Sequence, residues 1–171
     1  ISTLLPGRHN IRNILGAISL CLNLGLDIDK IAIAIESFQG VRRRQELYAE
    51  LRGITIIDDF AHHPTAVRET IEAIKGRHPD RPLWAVFEPR SNTSRRAIFQ
   101  KHYASAFTGA DKTVIAGVFN PFKIEPSMRL SPEKVVEELR AKGKDAYYIE
   151  RVEDIVEYLK KELKQGDIVL I

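Results

Sequence analysis

Three polar stretches hold most of the side chains in this 171-residue sequence that can do chemistry. They are Gly7-Arg8-His9-Asn10-Ile11-Arg12-Asn13, Asp58-Asp59-Phe60-Ala61-His62-His63-Pro64, and Glu88-Pro89-Arg90-Ser91-Asn92-Thr93-Ser94-Arg95-Arg96. In the second, a strand pattern ends in two aspartates, and two histidines precede a proline that opens a helix. A helix start offers free N–H groups and a partial positive charge, so it favours phosphate or carboxylate. An aspartate at a strand end can accept from a ribose hydroxyl, and a histidine can donate to a phosphate. The plainer alternative is a capping cluster in which Asp59 and His63 serve only the helix. Zinc is a weak third option, because the two adjacent histidines have neither a cysteine pair nor H-E-x-x-H spacing.

The third stretch sets Arg90, Arg95 and Arg96 among Ser91, Asn92, Thr93 and Ser94 at the start of a predicted helix. Guanidinium groups meet carboxylates bidentately, so the loop suits an acidic or peptide substrate. The alternative is a solvated loop with Ser94 as the helix N-cap. In the first stretch, Asn10 and Asn13 are three residues apart just inside a helix and share a side. Two amides there can read an adenine edge, or one can simply cap the helix.

These stretches need elements to hold them. Ile11, Ile14, Leu15, Ile18 and Leu22 give the stripe of an amphipathic helix that Gly25 can stop. A second short helix follows Asp27, with Ile31, Ile35 and Phe38 on one face. Both precede any clear strand, so they are expected to belong to a neighbouring domain or a hinge. From residue 46 the pattern alternates. Glu46–Leu51 and Ile54–Asp58 read as strands paired about Arg52-Gly53. Pro64 to Lys75, Ser94 to Phe107, Ser131 to Gly143 and 151 to 164 read as helices. Leu83–Phe87, Thr113–Ala116, Ala146–Ile149 and Ile168–Ile171 read as apolar strands. Continuous apolar strands separated by helices predict an α/β fold, Rossmann-like, with a mostly parallel sheet covered on both faces. Ligands of such sheets bind beyond the carboxyl ends of the strands.

Composition narrows the class. A net charge of +3 is too mild to argue for nucleic acid. No apolar run approaches the roughly 20 residues of a membrane span. A single cysteine, Cys21, excludes an internal disulfide, suits a reducing cytoplasm, and is expected to pack in a core. There is no G-x-x-x-x-G-K-[ST] loop, no G-x-G-x-x-G after a strand and no G-x-S-x-G elbow, so these residues alone are not expected to hydrolyse ATP. Ile1 in place of Met, and an end inside a strand pattern at Ile171, suggest a piece of a longer protein.

The three stretches in this order, with Phe38-Gln39-Gly40-Val41-Arg42-Arg43-Arg44-Gln45-Glu46 between the first two, resemble the closing segments of the Mur ligases. The resemblance covers essentially the whole chain. It implies that residues 1–40 end a central ATPase domain and that 41–171 form the C-terminal domain. It also implies an amide ligase using ATP and Mg2+, with the magnesium ligands outside this chain. His9, Asn10, Asn13, Arg44, Asp59 and His62 correspond to nucleotide-facing positions. Arg90, Ser91, Asn92, Thr93 and Arg95 correspond to the loop that receives the incoming amine.

Within the family, the segment Gly40 to Glu46 together with the loop Phe87 to Arg96 is most similar to the branch that joins UDP-N-acetylmuramate to the tripeptide L-alanyl-γ-D-glutamyl-meso-diaminopimelate. The runner-up is the branch that adds L-alanine, whose loop typically has His where Arg90 stands, followed by an aromatic residue and a single Thr-Arg. From other classes, a stand-alone α/β module for a small ligand remains, as does a basic nucleic-acid module. Neither explains the three stretches in order.

Overall fold

The computed structural model describes residues 1–171. Two helices lead: α1 (Arg8–Asn23) and α2 (Ile28–Ser37), the latter capped by the Asp27 carboxylate, which accepts from the N–H groups of Asp29 and Lys30. Strands β1 (Glu46–Leu51), β2 (Ile54–Asp58), β3 (Leu83–Phe87), β4 (Lys112–Ala116), β5 (Asp145–Ile149) and β6 (Ile168–Leu170) form one sheet in the order β1-β2-β6-β3-β4-β5. All neighbours are parallel except β1 and β2. That pair turns at Arg52 and Gly53, both at positive φ (52° and 77°), as a two-residue hairpin of matching twist requires.

Helices α3 (Pro64–Arg77), α4 (Gln100–Ala106) and α5 (Pro132–Ala141) cover one face of the sheet, and α6 (Val152–Glu162) covers the other. Strand residues alternate between the two layers. Leu83, Ala85 and Phe87 join Ile71, Tyr103, Phe107, Val135 and Leu139 in the larger core. Trp84 joins Val114, Val169 and Ile155 in the smaller one. This is the expected α/β architecture, with Ser131 capping α5 by accepting from Lys134 N.

Two expectations need correction. The helix expected from Ser94 to Phe107 begins only at Gln100, after a single 3₁₀ turn at Ala97–Phe99. Ser94 is fully buried and hydrogen-bonds Ser91 instead of capping. The backbone there is already committed, because Leu130 N donates to the Arg95 carbonyl and Arg96 bridges Arg129. Cys21 is not in a core either. It is half-buried, on a helix with no buried residue, and lines an open cavity. The stripe of α1 is also unburied, with Ile11 53% and Leu15 57% exposed.

Candidate functional site

The end of β2, on the sheet's carboxyl edge, is held by several hydrogen bonds. Asp59 N donates to the Ile171 carbonyl at 2.8 Å, extending the β2–β6 ladder past the strand. One Asp59 carboxylate oxygen accepts from Ala61 N at 2.7 Å and the other from Gln45 N at 2.9 Å. The expected capping alternative for Asp59 is not met. The carboxylate fixes two loops, and His63 caps α3, its Nδ1 accepting from Thr65 N at 3.2 Å. Burial pushes the Asp59 carboxyl above its ordinary value, against the pull of the Ala61 and Gln45 bonds and the charges of Arg44 and His9.

The segment that brings Gln45 there is bent sharply. Arg43 and Gln45 both have positive φ (56° and 52°), a conformation that costs non-glycine residues about 1 kcal/mol or more. Compensating contacts hold it. Arg43 N donates to Glu46 Oε2 at 2.7 Å, Phe60 N donates to the Arg43 carbonyl at 2.8 Å, and Arg43 Nε reaches Asp58 at 3.2 Å. The guanidinium groups of Arg43 and Arg44 lie over the Phe60 ring at 5.4 and 5.6 Å. Of the basic run, Arg44 is the one that turns toward the cavity.

That cavity, about 810 Å³, lies between α1, α2, the 38–45 segment and α3. Its polar wall carries His9, Asn10, Asn13, Arg44 and Asp59, so five of the six nucleotide-facing candidates share one space. His62 is the exception. It does not line the cavity; its Nδ1 contacts the Phe60 carbonyl at 3.0 Å, and its own carbonyl accepts from Tyr103 O–H at 2.6 Å. Asn10 is partly committed to local structure, since its Nδ2 donates to the Pro6 carbonyl at 2.7 Å. Asn13 has no such bond and is exposed along the wall. Sequence reasoning missed Gln45 and Glu69, which touch His9; nothing in their spacing marks them.

The third stretch forms a separate patch. It follows β3, two strands from β2, so the two regions lie about 10 Å apart on one edge. None of its residues lines the cavity. Ser91 and Ser94 bond each other, and Arg95 donates to Asn92 Oδ1 at 2.7 Å and to the Phe119 carbonyl at 3.3 Å. Three of the expected contact residues, Ser91, Asn92 and Arg95, are thus partly used in holding the loop, although Arg95 Nε is buried without a partner. Arg90 is exposed. Its guanidinium stacks over the Phe119 ring at 4.3 Å and meets Glu88 at 3.4 Å. Phe119, also missed from the sequence, is joined to the loop by its N–H, which donates to the Pro89 carbonyl at 3.0 Å. Stacking of this kind orients a guanidinium without consuming its in-plane donors.

No group of three or more His, Cys, Asp and Glu side chains converges on this chain. The cavity's donors and acceptors do fit a nucleotide: an arginine for phosphate, a carboxylate for ribose hydroxyls and an amide for a base edge. No helix is long and apolar enough to cross a membrane.

A six-stranded, mostly parallel sheet with this edge defines the class, and residues 43–171 match the family described as "Mur ligase, glutamate ligase domain". The chain belongs to the Mur ligase family. It is 34% identical over 166 residues to the UDP-N-acetylmuramate–L-alanine ligase of Caldanaerobacter subterraneus subsp. tengcongensis, covering 97% of this chain and 35% of that protein. Among solved structures it is similar to a murein peptide ligase from Psychrobacter arcticus (TM-score 0.73, 31% identity, 100% of this chain and 35% of that one). It is also similar to the UDP-N-acetylmuramate–alanine ligase of Thermotoga maritima (TM-score 0.79, 25% identity, 98% and 35%). The chain thus spans about a third of the length of its curated relatives.

Proposed function

We propose that this chain is the C-terminal domain, with the last helices of the central ATPase domain at 1–40, of an ATP-dependent amide ligase. The ligase joins UDP-N-acetylmuramate to L-alanyl-γ-D-glutamyl-meso-diaminopimelate in cell-wall recycling. The observation that carries this reading is the pairing, on one sheet edge, of a nucleotide-sized polar wall with an arginine presented from a self-braced loop. In such a ligase, ATP supplies the phosphoryl group that activates the muramate carboxylate. This chain's part is positioning and exclusion of water. Asn10 and Asn13 face the base, Asp59 the ribose and Arg44 the phosphates, with His62 nearby. Closure of this wall over an acyl phosphate protects it from hydrolysis.

The loop decides the acceptor. Arg90 keeps free donors while Phe119 fixes its direction, and Thr93 and Arg96 add further polar groups beside it. A tripeptide with several carboxylates uses such a loop more fully than a single amino acid does. A second reading, addition of L-alanine, is favoured by the names of the curated relatives. Steady-state kinetics of the full-length enzyme with each acceptor tests both: preference for free L-alanine overturns the tripeptide assignment. ATP turnover by these 171 residues alone, surviving repurification, would overturn the view that the phosphate loop lies elsewhere.

A further inference from the structure

Arg90 has a neighbour that its expected task does not explain. A guanidinium that only grips a carboxylate works best with no other carboxylate close by. Yet Glu88, at the start of the same loop, holds its Oε2 3.4 Å from Arg90 Nη1. A ligand carboxylate arriving at Arg90 therefore meets repulsion from Glu88. Glu88 is not needed to aim Arg90, whose guanidinium already lies 4.3 Å over the Phe119 ring. Nor does it cap anything. Asp59, Asp111 and Asp167 each accept backbone N–H groups, whereas the only hydrogen bond of the Glu88 side chain is the one from Arg90.

The pair sits where a ligand can reach it. Glu88 directly follows Phe87, the last residue of the central strand β3, at the carboxyl edge where parallel sheets bind ligands. The Glu88 side chain is 29% exposed and that of Arg90 65%. Their contact is long and single, so Glu88 Oε1 and the other Arg90 donors stay free. Arg95 in the same loop differs, because its acceptors are the neutral Phe119 carbonyl and Asn92 Oδ1. A plus–minus pair such as Arg90 with Glu88 is the complement of a zwitterion. A carboxylate turns to Arg90 while an ammonium on the same carbon turns to Glu88. For such a group the repulsion becomes attraction, and a group with only one of the two charges is disfavoured.

We propose that Glu88 is a specificity-determining residue of the acceptor site, and that Glu88 and Arg90 together read an α-amino-acid head group, an ammonium and a carboxylate on one carbon. The proposal rests on the tripeptide reading above and names the part of the acceptor that the loop selects. In L-alanyl-γ-D-glutamyl-meso-diaminopimelate the far carbon of diaminopimelate carries that group, because its other amine is spent in the peptide bond. The reacting amine belongs to the L-alanyl residue at the opposite end, so Glu88 holds an ammonium that keeps its proton. In free L-alanine the two would be the same amine, and a glutamate gripping its proton would oppose attack on the acyl phosphate.

The test is steady-state kinetics of the full-length enzyme with L-alanine and with three tripeptides. The peptides end in meso-diaminopimelate, in 2-aminopimelate, which lacks the far ammonium, and in L-lysine, which lacks the far carboxylate. Wild type should favour the first over each of the others by roughly tenfold or more in kcat/KM. Glu88→Gln, which keeps the size of the side chain, should lower use of the diaminopimelate peptide by roughly ten- to hundredfold. It should raise use of the aminopimelate peptide by roughly two- to fivefold, because the repulsion is gone. The KM for ATP should stay unchanged in this variant, which shows that the fold is intact. Equal losses with both peptides would reduce Glu88 to a contact that steadies Arg90 and would sink the proposal, as would an unaltered preference among the peptides. If wild type uses L-alanine and none of the peptides, the tripeptide reading itself falls, and the proposal with it, on a measurement that needs no variant.

Discussion

The two polar regions of the sheet edge are built in opposite ways. The cavity's polar wall, the proposed nucleotide site, draws its side chains from α1, the linker and the end of β2, so its shape depends on how distant segments meet. The proposed acceptor loop is one segment of nine residues after β3, braced by its own serines, by Asn92 and by Phe119. A distributed site can be opened and closed by moving one part. A local loop keeps its geometry whatever α1 does. The wall therefore suits a step that couples to domain motion, and the loop suits selection of a substrate.

The separation can be broken or sharpened by substitution. The largest effect is expected at Arg90. Arg90→Ala should lower kcat/KM for the tripeptide by roughly 10- to 150-fold, the worth of about 1.5–3 kcal/mol for a charge-assisted bond, with the KM for ATP unmoved. Arg90→Lys should recover only part, because an ammonium lacks the bidentate fork. Steady-state kinetics varying each substrate in turn checks both.

Asp59→Ala should do the reverse, raising the KM for ATP by roughly tenfold and leaving that for the peptide nearly alone. If both constants move together in either variant, the two regions are not independent.

Phe119→Leu is a milder probe. Losing the ring under Arg90 removes about 0.5–1 kcal/mol of cation–π attraction, so peptide kcat/KM should fall by roughly two- to fivefold. A loss as large as that of Arg90→Ala would mean that Phe119 holds the whole loop.

The smallest expected effect is on stability. Burial raises the Asp59 carboxyl, so the folded state binds its proton more tightly than the unfolded state does. Stability from this group is therefore greatest at low pH and declines as pH rises from the ordinary carboxylate value through the raised one. The urea midpoint of Asp59→Asn should lack that decline, whereas Arg90→Ala should retain it.

Much of this was legible in the sequence, for physical reasons. Buried parallel strands such as Leu83–Phe87 carry unbroken apolar runs, and hairpin and cap residues such as Arg52-Gly53 and Ser131-Pro132 act locally. The acidic strand end at Asp59 and the arginine cluster after β3 stood out by type and place. The braces did not. Gln45 and Phe119 matter because of the residues the fold brings to them, and neither carries a spacing signal. The late start of α4 was hidden for the same reason, since it is set by Leu130 and Arg129 across the loop. The apolar stripe on α1 predicted its helix correctly, but the core packing expected of Cys21 did not follow, because periodicity records which face is apolar and not what covers it.

The reversed direction of β1 has a mechanical consequence. Had β1 run parallel to its neighbours, the chain would enter the sheet at the amino edge, about 17 Å from Asp59 for a five-residue strand. Running antiparallel, β1 instead begins opposite the end of β2, with Glu46 paired to Asp58. The covalent joint between the leading helices and the sheet therefore sits at the carboxyl edge itself, beside Asp59. A rotation about that joint has almost no lever arm at Arg44 and a long one at the far end of α1. Small adjustments at the pivot thus keep the nearest contacts in register while sweeping the helices through a large arc.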